Sequence, residues 1–542
     1  MPPSPAPPPT GPITVAEVVT AFSAASPELP GAFYEANEGF TMISAYLVFF
    51  MHCGFAMISI GCVRQKFAKH IAILILLDAC ASALGFYFFG YAFGFGDRID
   101  ANGGYYGNPF VGSQYFALSG LPPTQYYLWF FQWTFAATAC TIVSGAIAER
   151  TRFEAYACYS FFMSAWVYPI ITHSAWSFQG WASMFKTTAH STNYLFGSGV
   201  IDFAGSGAVH MVGGTAALWG AVIVGPRIGR FLSDGTVVQM DGHNSSLFVL
   251  GVMILWFGWY GFNPGSQQAI ITANGGTWSV ASSVANAAVT TTLSPAAAGL
   301  SGLLVKAMLL KIETGTLVWD IMTMGNAALA GLVAITSGCS VILPWGGIVV
   351  GIVAGSLYVG ASKLVVFMKI DDPLDAIAVH LFNGAWGVIA VGFLAGEHQI
   401  LASYGTNVFT GGNREYGCFL GGSGRLLAAQ LVYTCWIFAW VTCMMVPLWL
   451  LLKIVGLLRV DPAHETAGLD VSHHGGSAYP GGTDLESSDH KGQQYNTGMN
   501  GNGNHHDLTD IRAEIAQLRK QLNAESTPQN PKGTTVVSSG TR

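Results

Sequence analysis

Residues 202–214 read DFAGSGAVHMVGG, and residues 372–384 read DPLDAIAVHLFNG. Each stretch opens on an aspartate, Asp202 or Asp372, and each sets a histidine, His210 or His380, eight positions later inside an apolar run. A single histidine on an apolar helix is most often an ordinary core residue. Two at the same spacing from the same kind of residue point to a repeat, and an ionisable group at membrane depth usually lines a pathway.

The rest of the chain supplies the membrane. Apolar residues make up 51% of it and charged residues only 10%, against about 25% charged in soluble domains; the mean hydropathy is +0.44. Sixty-seven glycines suit helices that approach closely where lipid supplies no hydrophobic drive between them. The net charge of −6 sits largely in the termini, and no basic patch interleaved with aromatics suggests nucleic acid. The nine cysteines follow no C-x-x-C pattern and most fall inside apolar runs as small hydrophobes. Cys339 and Cys418 fall in loops placed outside the cell, where a disulfide between them is one option.

Stretches of roughly 20 apolar residues, enough to cross about 30 Å of hydrocarbon, fall near 40–63, 71–93, 126–147, 153–172, 203–225, 245–263, 279–304, 317–337, 341–367, 374–395 and 424–452. The expected fold is an all-α membrane protein of eleven spans. Odd-numbered loops carry eleven Lys and Arg residues and even-numbered loops only Arg98, Lys186 and Arg414. Basic loops stay in the cytoplasm, so the N-terminus is expected outside and the C-terminus inside. The first Lys or Arg is Arg64, so the basic region of a cleavable signal peptide is not expected at the start. The N-x-S sequon at Asn244 lands in a cytoplasmic loop, where glycosylation is not expected.

Under this topology the fifth and tenth spans enter from opposite sides, and Asp202 and Asp372 stand at opposite interfaces. Each can cap the free N–H groups at the start of its helix. Eight residues of helix carry each histidine about 12 Å deeper, so about 6 Å of depth separates them in a core of about 30 Å. They should face each other near the midplane. That is the pattern of an inverted-topology repeat, helices 1–5 against 6–10, with the site at its centre.

Burial disfavours imidazolium, so the two rings should be largely neutral and able to share one N–H···N bond. Two histidines with no nearby carboxylate or thiolate are too few for ordinary zinc coordination. No metal and no cofactor are expected. A narrow apolar tube with such a pair suits a small species that becomes neutral by losing a proton. His173, at the outer end of the fourth span, reads as structural.

Five segments carry a family resemblance: TFAATACTIVSGAIAERTRF, YPIITHSAW, DFAGSGAVH, LWFGWYGFNPGS and DDPLDAIAVHLFNGAWG. Together they resemble the Amt/Mep/Rh ammonium transporters, of the plant and algal Amt type, over roughly residues 40–475. The resemblance implies eleven transmembrane helices, a homotrimer with one pore per subunit, and ammonium as substrate. It places an outer recruitment site on Trp176 and Ser266 with Phe135 beside them. It makes Phe135 and Phe262 a stacked phenyl gate, and His210 and His380 a twin-histidine lumen. Asp202 matches a family aspartate needed for transport, read as orienting its span and biasing the outer site electrostatically; Asp372 is read as a helix cap. Without the resemblance, Trp176 would read as an interfacial belt residue and the phenylalanines as ordinary packing.

The expected domains are an extracellular segment 1–39, a transmembrane domain 40–455 and a cytoplasmic regulatory segment 456–480. A disordered linker 481–506, a short amphipathic helix or coiled coil 507–524 and a disordered tail 525–542 follow. LRVDPAHETAGLDVSHHGGSAYP resembles the regulatory tail of plant transporters, in which a threonine is phosphorylated; Ser472 takes that place, implying a kinase as partner. The SHHGG that follows departs from the basic residue usual there. His473, His474, His505 and His506 fall in solvated low complexity. Leu508, Ile511, Ile515, Leu518 and Leu522 recur at a/d spacing.

The expected function is electrogenic ammonium transport across the plasma membrane. An ammonium sensor on the same fold is the alternative, and no nucleophile–base set at membrane depth suggests an enzyme.

Overall fold

A computed structural model describes residues 29–186, 193–271, 279–407 and 409–479. The linker 481–506 with His505 and His506, the helix 507–524, the tail 525–542 and most of the segment 1–39 lie outside the described residues.

Among the described residues the chain is mostly helical, and nine helices are long and apolar enough to cross a membrane. They are Phe33–Cys62, Gln65–Phe95, Pro123–Ile147, Ser206–Val224, Ser245–Gln267, Val280–Thr314, Pro344–Phe367, Ile377–Leu394 and Arg425–Ile454. The protein is a multi-pass membrane protein. Two further helical stretches occupy the remaining expected places. Phe153–Phe162 continues through a π-helical turn, Met163–Val167, into Tyr168–Trp176. There Pro169 cannot donate to the carbonyl one turn back, and the wide turn precedes it. Ile321–Thr336 is 16 residues long and opens on Asp320, whose carboxylate accepts from the Met322 N–H and the Thr323 hydroxyl.

Ends differ from the expected ones where capping or length decides. The seventh span, expected to stop near 304, runs to Thr314. Its start is fixed by a reciprocal Ser279–Ser282 capping box, which satisfies two free N–H donors. Large apolar side chains such as Leu76, Leu300 and Met308 stay exposed on the bundle's flank, as suits helices that face hydrocarbon. All nine cysteines are unpaired, so the Cys339–Cys418 disulfide does not form. Cys339 is buried at the end of Ile321–Thr336, where its thiol donates to the Thr336 carbonyl.

At the end of the bundle that bears the tail, an ion network ties the loops together. Arg227 bonds both Asp371 oxygens at 2.9 and 3.0 Å and lies 3.2 Å from Glu149, which also holds Arg64. The tail folds back onto this surface. Arg459 pairs with Glu465, and Glu465 accepts from the Ile228 N–H. The helix Ala68–Gly85 has no side-chain cap of its own. Asp470, 400 residues later, supplies one by accepting from the N–H groups of Lys69 and His70, each at 2.9 Å.

Candidate functional site

Five stations follow one another through the bundle. The first is a cavity of about 280 Å³ at the end opposite the tail, lined by Trp176, Ser266, Phe135, Gln132 and Asp97 among others. The half-buried Trp176 is held by its indole N–H, which donates to the Asp202 carbonyl at 2.7 Å. The Ser266 hydroxyl donates to the Phe262 carbonyl at 2.8 Å. Its oxygen lone pairs are thereby left to accept from a donor in the cavity. Burial raises the Asp97 carboxyl, and the charge of His173 works against that rise.

Phe135 closes the floor of this cavity. Its ring stacks on Phe262 at 4.0 Å and 27° and meets Trp176 edge-on at 6.1 Å. Both phenylalanines are buried. Phe262 in turn lies 5.5 Å from the His210 ring, which also packs on Trp259 at 5.3 Å.

His210 and His380 form the next station, Nδ1 to Nδ1 at 3.3 Å with rings inclined by 21°. His210 is fully buried, and its Nε2 meets no partner. Each histidine sits in a π-helical turn, Ser206–Met211 or Ile377–Phe382; such turns widen a helix and recur at functional sites. The closing glycine of each motif lets the two turns touch. A Cβ on Gly214 would lie 2.2 Å from the Leu381 nitrogen, and one on Gly384 would lie 2.7 Å from the Ser206 oxygen and 2.8 Å from the Met211 nitrogen.

Beyond the histidines a small cavity of about 40 Å³ is lined by His380, Trp259, Ser59, Thr141, Ser144 and Asn326. Asn326 and Leu374 are shared with the last station, a vestibule of about 710 Å³ with Arg227, Arg230, Asp372 and Asp375 in its wall. Burial, with the Asp375 charge adding to it, pushes the Asp372 carboxyl up to about 7.

The two motif aspartates cap their helices. Asp202 accepts from the N–H groups of Gly207 and Ala208 and from the Ser337 hydroxyl, and Asp372 accepts from the Ile377 N–H at 2.6 Å. Asp202 is buried and absent from the cavity wall, so it reaches the first station only through its carbonyl on Trp176. His173 ties a helix end to a loop, its ring nitrogens 3.1 and 2.9 Å from the Gly94 and Asn108 carbonyls. Ser472 stands apart in the tail, donating to the Gly468 carbonyl at 2.9 Å. Among the described residues no group of three or more His, Cys, Asp or Glu is placed to hold a metal.

Sequence reasoning missed Asp78, Glu149, Asp371 and Asp470. An aspartate inside the apolar run LILLDAC was a visible signal for Asp78; the partners of the other three lie far away in sequence.

A family model described as the Ammonium Transporter Family matches residues 39–479. Ammonium transporter 1 member 3 of Solanum lycopersicum is 45% identical over 450 residues, covering 82% of this chain and 93% of its own. Ammonium transporter 1 member 1 of Oryza sativa subsp. japonica is 46% identical over 431 residues, covering 78% and 81%. Among solved structures, one titled Sensor Amt Protein superposes with a TM-score of 0.68 at 31% identity, covering 82% of this chain and 99% of that one. Candida albicans Mep2 follows at 0.65 and 26%, covering 79% and 86%.

Proposed function

This chain belongs to the ammonium transporter family, and from that premise we propose that it carries ammonium inward across the plasma membrane, moving net charge. It is a transporter and not an enzyme. The observation that carries the mechanism is the phenyl stack of Phe135 and Phe262 directly above the His210–His380 pair.

The N-terminus is taken as outside, so the Trp176 cavity opens to the exterior. Ammonium is drawn to the Trp176 ring face by a cation–π contact worth about 0.5–2 kcal/mol. The Ser266 oxygen accepts one of its N–H bonds. K⁺ gains from the ring but has no hydrogen to donate, which favours ammonium. Asp202 fixes Trp176 and adds negative charge behind it.

Passing the phenyl stack strips water from the cation. Desolvation disfavours the charged form, so the proton leaves and ammonia enters the apolar lumen. The proton follows by way of the two imidazoles, which share one N–H···N bond and can hand it on. Asp372 holds its helix start at the cytoplasmic mouth.

Three copies assemble with one pore each. The docked tail is the regulatory element, and phosphorylation of Ser472 by a kinase would place about two negative charges beside the Asp470 cap. A sensor role is the second reading, favoured by the likeness to the Sensor Amt Protein structure. Labelled ammonium uptake into host cells without their own ammonium transport separates the two. Concentrative, saturable uptake supports transport; binding without flux supports the sensor.

A further inference from the structure

Asp78 is a carboxyl group inside the membrane that the pathway above does not use. It lies on the span Gln65–Phe95 and is completely buried. No ion pair among the described residues includes it. Its neighbours are uncharged: the hydroxyls of Thr141, Ser160 and Tyr156 and the thiol of Cys140.

The proton inventory around it is informative. The Thr141 oxygen lies 2.5 Å from Asp78 Oδ2 and 2.9 Å from the Ala137 carbonyl, while Asp78 Oδ1 meets no donor. A threonine hydroxyl has one hydrogen and cannot fully serve two acceptors. If Asp78 is the neutral acid, its O–H donates to Thr141 and the Thr141 O–H donates to Ala137, and each hydrogen has one acceptor. A carboxylate buried with neither a counter-charge nor the N–H donors that Asp202 has would neutralise. Thr141 also lines the small cavity below the histidines, as His380 does.

We propose that Asp78 is a membrane-buried proton donor, kept as the carboxylic acid, which returns the proton to ammonia in that cavity through the Thr141 hydroxyl. The step is a relay. The Thr141 hydrogen passes to the ammonia nitrogen, the Asp78 hydrogen replaces it on Thr141, and ammonium and an Asp78 carboxylate result. The imidazolium proton arriving at His380 then restores the acid. One proton and one ammonia enter, and one ammonium leaves towards the vestibule of Asp372 and Asp375. The inference rests on the charge-moving reading above.

The test compares charge moved per labelled ammonium taken up in the wild type, Asp78→Asn and Thr141→Val, each normalised to membrane abundance. Both variants keep side-chain volume and remove one link of the relay. The ratio is expected to fall about tenfold or more in each, within what a positioned acid contributes. A merely structural role would lower current and uptake together and leave the ratio unchanged, which overturns the inference. If Asp78→Asn fails to reach the membrane, Thr141→Val carries the same readout. Infrared difference spectra of the purified protein supply a second measurement. The wild type should show a protonated-carboxyl C=O band that Asp78→Asn lacks, and identical spectra overturn the assignment. Wild-type uptake without current would instead remove the charge-moving reading itself, and proton return with it.

Discussion

His210 and His380, 170 residues apart in the chain, meet Nδ1 to Nδ1 at 3.3 Å. The contact depends on two glycines that close the two motifs, each packed on the other motif's backbone. Gly384→Ala would set a methyl 2.7 Å from the Ser206 oxygen. The helices must part, at a cost of about 1–3 kcal/mol for overpacking. Thermal unfolding of the detergent-solubilised variant should show a lower midpoint, and uptake should fall with it.

Phe262 touches both Phe135, at 4.0 Å, and the first histidine, at 5.5 Å from the His210 ring. Phe262→Ala removes the stack and leaves a buried cavity, destabilising by about 3–5 kcal/mol. On the proposed mechanism the surviving protein lacks its dehydrating barrier. Currents carried by K⁺ alone, absent from the wild type, are expected in this variant under voltage clamp.

The Arg227–Asp371 pair gives a pH signature at the end of the bundle that bears the tail. Burial raises the Asp371 carboxyl, but the Arg227 hydrogen bonds and the Arg150 charge outweigh it and hold it at about 2. The unfolded value is about 3.9. A folded value below the unfolded one contributes stability that is complete above about pH 4 and is lost as the pH falls towards 2, about 2–3 kcal/mol in all. Asp371→Asn should flatten the stability profile in that window, and at neutral pH it should cost about 3–5 kcal/mol for a broken buried pair. Unfolding midpoints measured from pH 7 downward check both.

Ser472 donates to the Gly468 carbonyl, two residues from the aspartate that caps the helix Ala68–Gly85. Ser472→Asp replaces a donor with an anion next to that carbonyl and beside Asp470. Loss of the cap costs about 1 kcal/mol and frees the tail. Limited proteolysis after residue 455 should quicken, and transport should drop. Normal transport with a protected tail would count against regulation through Ser472.

The paired histidines were legible because one Asp-to-His spacing recurs in two segments. The eight helical residues expected between aspartate and histidine are not there, since the wide turns begin only at Ser206 and Ile377, and the rings meet where the turns pack on Gly214 and Gly384. The pairing of Phe135 with Phe262 was legible only through family resemblance, since both sit in apolar runs like any other. Partners distant in the chain were not legible. Nothing near Asp371 in sequence names Arg227, which is 144 residues away, and nothing near Ala68 announces a cap from Asp470. Helix ends slipped where geometry overrides composition, as in the wide turn before Pro169 and the seventh span's run to Thr314.

The central claim is that the paired imidazoles carry the proton that ammonium leaves behind. Voltage-clamp recording of ammonium-evoked current in the wild type and in the His210→Ala/His380→Ala double variant, at matched membrane abundance, tests it most directly. The account predicts an inward current in the wild type that the double variant loses. Current of undiminished size in the double variant would contradict it.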